Sequence, residues 1–112
     1  MKNLNQLLQE MDTIRVQLSR TAEEIRDAEV AADEAERDYK RESALAYRRA
    51  TGSIDDRKQQ AFLDTEEFVK QRDRAASVVN YLKMRRANLE IEQSNLQTQA
   101  RIMTTGTGAA GA

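Results

Sequence analysis

The chain contains no cysteine, histidine, tryptophan or proline, and only four glycines among its 112 residues. Each absence removes a class of function. Without cysteine there is no disulfide framework and no thiolate metal site, which suits a reducing, intracellular compartment. Without histidine the commonest general base at neutral pH and the commonest transition-metal ligand are both missing. No Ser/His or Cys/His pair can form, and no glycine-rich phosphate loop is present. Carboxylate helix bundles that hold metals use a Glu-x-x-His motif, which this composition cannot supply. The acids at Glu23, Glu24, Asp27, Asp33 and Glu34 therefore read as solvated or ion-paired helix faces. No catalytic residue, metal ligand or cofactor is expected, and the chain reads as a protein that is not an enzyme. Aromatics are only 4 %, and 18 bases against 19 acids leave a net charge of -1. A chain-wide basic excess, the usual footprint of a nucleic-acid binder, is thus lacking. No apolar run approaches the ~18 residues of a membrane span. The opening MKNLNQLLQEMD lacks the continuous apolar core of a signal peptide. A cytoplasmic protein with no membrane partner is expected.

What remains is helix-forming sequence. All four glycines lie at position 52 or after position 105, leaving two uninterrupted stretches, 3–51 and 54–103, rich in Ala, Glu, Arg, Gln and Leu. The expected fold is all-α: an antiparallel two-helix hairpin of coiled-coil type over 1–103, with its turn at 51–54. Gly52 supplies the left-handed residue that stops the first helix. Ser53 is a good N-cap for the second, and Asp56 stands at capping-box spacing from it. Asp55 and Asp56 complement the helix dipole there. So short a turn makes the two helices antiparallel neighbours. The tail at 104–112, TTGTGAAGA, has neither charge nor a large apolar side chain and is expected to be disordered.

The first helix carries a heptad stripe: Leu4, Leu7, Met11, Ile14, Leu18, Thr21, Ile25, Ala28, Ala32, Ala35, Tyr39, Glu42 and Ala46. The second repeats every seven residues at Ala61, Phe68, Ala75, Leu82, Leu89, Leu96 and Met103. Its companion seam is Thr65, Arg72, Val79, Arg86, Gln93 and Ala100. Sustained seven-residue repeats predict left-handed supercoiling. Charge follows the same plan: residues 23–38 have a balance of -6 and residues 70–86 of +5. Folding about Gly52 sets residue i against roughly residue 105 minus i, which brings the two blocks together. Exposed ion pairs contribute only ~0–1 kcal/mol each, so the blocks would specify register more than stability.

Two helices side by side bury one stripe each. Phe62, Val69 and Ala76 make a second stripe, and Val78, Tyr81, Ile91, Leu8, Val16, Val30, Leu45 and Tyr47 lie off the seams. Self-association into a bundle or ring would cover such residues, since small single cores supply only ~3–5 kcal/mol. The expected partner is therefore a further copy of the chain, with Phe62, Phe68, Val69, Val79, Leu82, Leu89 and Leu96 as interface.

The segment around the turn is locally basic. Lys40, Arg41, Arg48, Arg49, Arg57 and Lys58 outnumber Glu42, Asp55 and Asp56 over residues 39–58, a balance of +3, with Tyr39 and Tyr47 among them. Cations interleaved with rings suit single-stranded nucleic acid, whose phosphates they pair with and whose bases they stack on. A ring of subunits would repeat the patch and add avidity. The plainer reading is a solvated helix end whose bases complement the dipole.

At this segment the chain resembles the UvsY-type recombination mediators of bacteriophages. The resemblance rests on Lys40-Arg41, Ala44-Leu45, Arg48 and Gly52, and on the spacing of small and apolar residues from Ala61 to Met103. Where that family carries a further basic residue, Ala46 stands here. The resemblance implies a helical oligomer in the host-cell cytoplasm that binds single-stranded DNA and a recombinase. Its nucleic-acid contacts would be Lys40, Arg41, Tyr47, Arg48, Arg49, Arg57 and Lys58. Two alternatives remain open at this point. One is a coiled-coil adaptor, scaffold or counter-defence inhibitor acting through Phe62, Val69 and Tyr81. The other is an oligomer that captures a small anionic ligand at Arg72 or Arg86.

Overall fold

A computed structural model describes residues 2–111, with 106–111 as backbone only. Its regular structure is entirely helical: α1 spans Leu4–Arg49, α2 Ile54–Asp64 and α3 Glu66–Gly111, with no strand among the described residues. No helix among them is long and apolar enough to cross a membrane.

The start of α1 is held by a reciprocal cap. The Gln6 backbone N–H donates to Asn3 Oδ1 at 2.8 Å, and the Asn3 backbone N–H donates to Gln6 Oε1 at 2.9 Å. Two N–H groups that helix geometry leaves without partners are satisfied at once. At the other end Ala50 still donates to the Ala46 carbonyl at 3.0 Å, and then Gly52 turns the chain at φ 106°. Ser53 caps α2 by accepting the Asp56 N–H at 3.2 Å, with Asp55 and Asp56 in the first turn.

The sequence predicts one helix from 54 to 103, but the structure divides it at Thr65. This side chain is only 2 % exposed. Its hydroxyl donates to the Ala61 carbonyl at 2.6 Å, and its backbone N–H donates to the same oxygen at 3.1 Å. A hydroxyl back-bonded to a carbonyl already in use loads it with two donors and bends the helix. The Thr65 carbonyl then accepts from Val69 at 3.1 Å and so opens the hydrogen bonding of α3. A second difference lies at the C-terminus. The backbone stays helical from 104 to Gly111, where the sequence predicts a disordered tail. Once a helix is nucleated, each added residue gains a hydrogen bond without a new nucleus. Ala112 of that expected tail lies outside the described residues.

The chain separates into two compact units. The first comprises Met1–Glu24 and Leu82–Ala112. Its core is Leu7, Ile14, Leu89 and Leu96, with Met11, Leu18, Ala100 and Met103 packed against them. Gln93 Nε2 donates to the Met11 carbonyl at 3.1 Å. The second unit is Ile25–Tyr81, and its buried residues are small: Ala46, Ala50 and Ala61 join Ile25, Thr65 and Val79. Apart from the partly exposed Leu4, every residue of the three predicted stripes is buried or half-buried.

The residues expected at a self-association interface differ in exposure within the single chain. Val79, Leu82, Leu89 and Leu96 are already buried in the single chain, and Phe68 and Val69 are half-buried. Only Phe62, 65 % exposed, is open to a second copy. The seven-residue stripe cannot face its own chain and a neighbour at once. Arg72 reaches Glu36 at 3.8 Å, but Lys70 pairs with Glu66 and Arg86 with Glu90, each on its own helix. Neighbours one turn apart on a helix are simply closer than residues across a seam.

Candidate nucleic-acid interface

In the second unit, a groove of about 590 Å³ lies between the last turns of α1 and the face of α2. From α1 it is lined by Tyr39, Lys40, Ser43, Ala44, Tyr47 and Arg48, spaced as one helix face. From α2 come Lys58, Ala61 and Phe62, with Thr65 at the boundary. The tight turn at Gly52 and the cap at Ser53 aim this face of α2 at α1. The structure thus gathers four of the seven predicted nucleic-acid contacts: Lys40, Tyr47, Arg48 and Lys58.

The other three lie outside the lining. Arg41 is held by Asp38 at 3.1 Å and Glu42 at 3.7 Å. Arg49 is the exposed last residue of α1. Arg57 is half-buried, with its guanidinium carbon 4.4 Å from the Tyr47 ring centre and a terminal nitrogen donating to the Tyr47 carbonyl at 3.3 Å. Its Nε is buried with no hydrogen-bond partner. Arg57 therefore ties α2 to α1, and its stacking occupies one face of the Tyr47 ring.

The groove cations differ in availability. Lys40 has a long contact to Glu36 at 3.8 Å. Neither Arg48 nor Lys58 has an acidic partner among the described residues, and both are exposed. A dissolved phosphate would meet them without displacing a carboxylate. Tyr39, like Tyr47, has an arginine on its ring, with Arg72 at 4.5 Å. The ring left open is Phe62, which also lines a neighbouring hollow of about 370 Å³ with Lys58, Gln59 and Leu63. The sequence reading placed Phe62 in an oligomer interface. The spacing of Lys58 and Phe62, one turn apart on the capped α2, is the signal that assigns it to the groove.

Ala46, standing where the resemblance leads one to expect a base, is 6 % exposed. A charge there would point into the alanine seam. Arg72 contacts Glu36 and, at 3.3 Å, Asp73, while Arg86 lies 3.9 Å from Glu90. Both arginines considered for capture of an anion thus already have carboxylates beside them. Among the described residues, no group of three or more acids stands close enough to hold a metal ion. No family model matches the chain, and neither the curated proteins nor the solved structures yield a match.

Proposed function

We propose that this chain is a non-enzymatic recombination accessory of the phage mediator type. In this reading it is an antiparallel, coiled-coil-like hairpin that self-associates, holds single-stranded DNA at the groove between α1 and α2, and offers that strand to a recombinase. The observation that carries the reading is the trio Arg48, Lys58 and Phe62: two cations without acidic partners beside one exposed ring. Phosphates attract the cations, and a base can stack on the ring whatever its identity. The pairings of Gln93 with Met11 and of Arg72 with Glu36 support the hairpin, since both lie within a helical turn of the predicted register. One such groove binds weakly, and repeating it around an oligomer multiplies the strength.

The test is light scattering on a sizing column, with and without a labelled single-stranded oligonucleotide, at low and moderate salt. Co-elution of the oligonucleotide with a multimer, lost as salt rises and lost in Arg48→Glu/Lys58→Glu, supports the reading. A multimer that ignores DNA at low salt removes it. That outcome favours a protein-binding adaptor, the reading to which the exposed Ile54, Phe62 and Leu63 on α2 would then belong.

A further inference from the structure

In the first unit α3 carries a second heptad pattern, distinct from the buried seam of Leu82, Leu89 and Leu96. Steps of four and three from Met84 lead to Asn88, Ile91, Asn95, Thr98 and Ile102. Ile91 stands two residues from Leu89, so this stripe lies roughly 200° round the helix from the buried one. Met84 is 67 %, Ile91 60 % and Ile102 64 % exposed, and Asn88, Asn95 and Thr98 are exposed with them. None of the six is charged, in a chain that is 33 % charged. The exposed apolar residues of α1 and α2 form no such run. From Leu4 and Leu8 the α1 face reaches Asp12 and Arg15, an ion pair at 2.7 Å, before it comes to Val16. Val30 has Arg26, Asp27 and Glu34 within a turn, and Ile54 has Arg57 and Lys58. Phe62 and Leu63 line the hollow beside the groove.

The two asparagines decide what covers this face. Both hold the same heptad position, seven residues apart, and they alternate with Met84, Ile91 and Thr98 at the other. Neither side-chain amide has a hydrogen-bond partner among the described residues. An amide covered by an apolar surface loses its water with nothing in exchange. An amide facing an identical amide can donate and accept at once. We propose that the Met84–Ile102 face of one copy pairs with the same face of a second copy, parallel and in register. In parallel pairing each layer holds a residue and its own counterpart, so Asn88 meets the second copy's Asn88, and Asn95 its Asn95. In antiparallel pairing the two heptad positions face each other, and each asparagine meets Met84, Ile91 or Thr98. A slide of one heptad leaves a single pair of asparagines. Thr98 can be covered without a partner, since its hydroxyl already donates to the Ser94 carbonyl at 3.0 Å. The same patch serves both copies, so the contact closes as a two-fold pair. It names the contact for the self-association proposed above, and rests on that reading. It lies within the first unit and takes none of the groove's residues. With no charge in the stripe, assembly persists as salt rises, whereas DNA binding falls.

The experiment places a charge in the stripe of the full chain. Ile91→Glu and, as its control, Ile91→Leu are run on a sizing column with light scattering, at low and at high salt. Ile91 is exposed in the single chain, so both variants should keep the helical circular dichroism of the unaltered chain. Ile91→Glu should fall to a smaller species at either salt, and Ile91→Leu should assemble as the unaltered chain does. Direction and register are read by Met84→Cys and Thr98→Cys, each the only thiol in its chain. Mild oxidation should join each variant to its own copy. An equal mixture should give no disulfide between positions 84 and 98, which in-register pairing holds roughly 21 Å apart, 14 residues at 1.5 Å each. Unaltered assembly of Ile91→Glu overturns the proposal, and so does a mixed disulfide. Anisotropy of a labelled oligothymidine reads the groove separately. Unaltered assembly of Ile91→Glu with salt-sensitive binding sinks this contact and leaves the DNA reading standing. Assembly lost in Ile91→Glu, with no oligothymidine bound by the unaltered chain at low salt, sinks the DNA reading alone.

Discussion

The guanidinium of Arg57 lies on the Tyr47 ring, 4.4 Å from its centre, and the same side chain donates to the Tyr47 carbonyl at 3.3 Å. A residue at the start of α2 thereby clasps the last turn of α1 at two points. Although basic and close to the groove, Arg57 serves the fold. Arg57→Ala should lower stability by about 1–2 kcal/mol, combining a cation–π contact and a hydrogen bond. Affinity for a single-stranded oligonucleotide should stay within about threefold, under 1 kcal/mol. Urea unfolding at fixed protein concentration, beside an anisotropy titration, reads both. A large loss of binding with unchanged stability would return Arg57 to the nucleic-acid contacts.

Adjacent leucines near the N-terminus should behave oppositely. Leu7 is 1 % exposed and packs in the core with Ile14, Leu89 and Leu96, while Leu8 is 49 % exposed. Leu7→Ala leaves a cavity and should cost about 2–4 kcal/mol. Leu8→Ala should move the urea midpoint by less than ~0.5 kcal/mol. Equal losses at both positions would mean that Leu8 is covered in the assembled protein.

Much of this was legible in the sequence, for a geometric reason. Seven-residue spacing places Leu82, Leu89 and Leu96 on one face whatever that face meets, and burial follows it. The turn was legible because Gly52 and Ser53 are chemically suited to stop one helix and start the next. The break at Thr65 was not, because threonine is tolerated inside helices: Thr13, Thr21, Thr98 and Thr104 make the same bond to the carbonyl four residues back within unbroken helices. At the groove, the run of bases and tyrosines around the turn pointed to Lys40, Tyr47, Arg48 and Lys58, which the structure brings into one lining. Arg41 went elsewhere because Asp38 and Glu42 flank it, a pairing that spacing alone could have foreseen. The capture of Arg57 by Tyr47 depends on how α2 leaves the turn, which no local pattern encodes.

Gly52 tests that turn directly. Its φ of 106° is in the left-handed region, and a Cβ added there would stand 3.2 Å from Asp56 Oδ2 and 3.3 Å from Asp56 Cβ. Gly52→Ala should therefore cost about 1–2 kcal/mol in backbone strain, with crowding against Asp56 added to it. Gly52→Ala/Asp56→Ala relieves the crowding but not the strain. It also leaves the Ser53 cap in place, since that bond uses the Asp56 backbone N–H. The double variant should thus remain less stable than Asp56→Ala alone in the same urea series.

Phe62 separates stacking from charge at the groove. It is exposed, so its replacement should leave stability within ~0.5 kcal/mol. A base stacked on an aromatic ring contributes about 1–3 kcal/mol. Phe62→Leu keeps an apolar side chain of similar reach but removes the π face, and should weaken oligonucleotide binding by about fivefold to a hundredfold. Phe62→Tyr should restore it. Neither change removes a cation, so the slope of log affinity against log salt should hold for both, whereas Lys58→Gln should reduce that slope by about one. Titrations at three salt concentrations distinguish these outcomes. If Phe62→Leu binds DNA as the unaltered chain does, the ring has no base on it, and its exposure is left to a protein partner. If the slope falls in Phe62→Leu as well, the substitution has shifted Lys58, its neighbour one turn away, and the loss belongs to the cation.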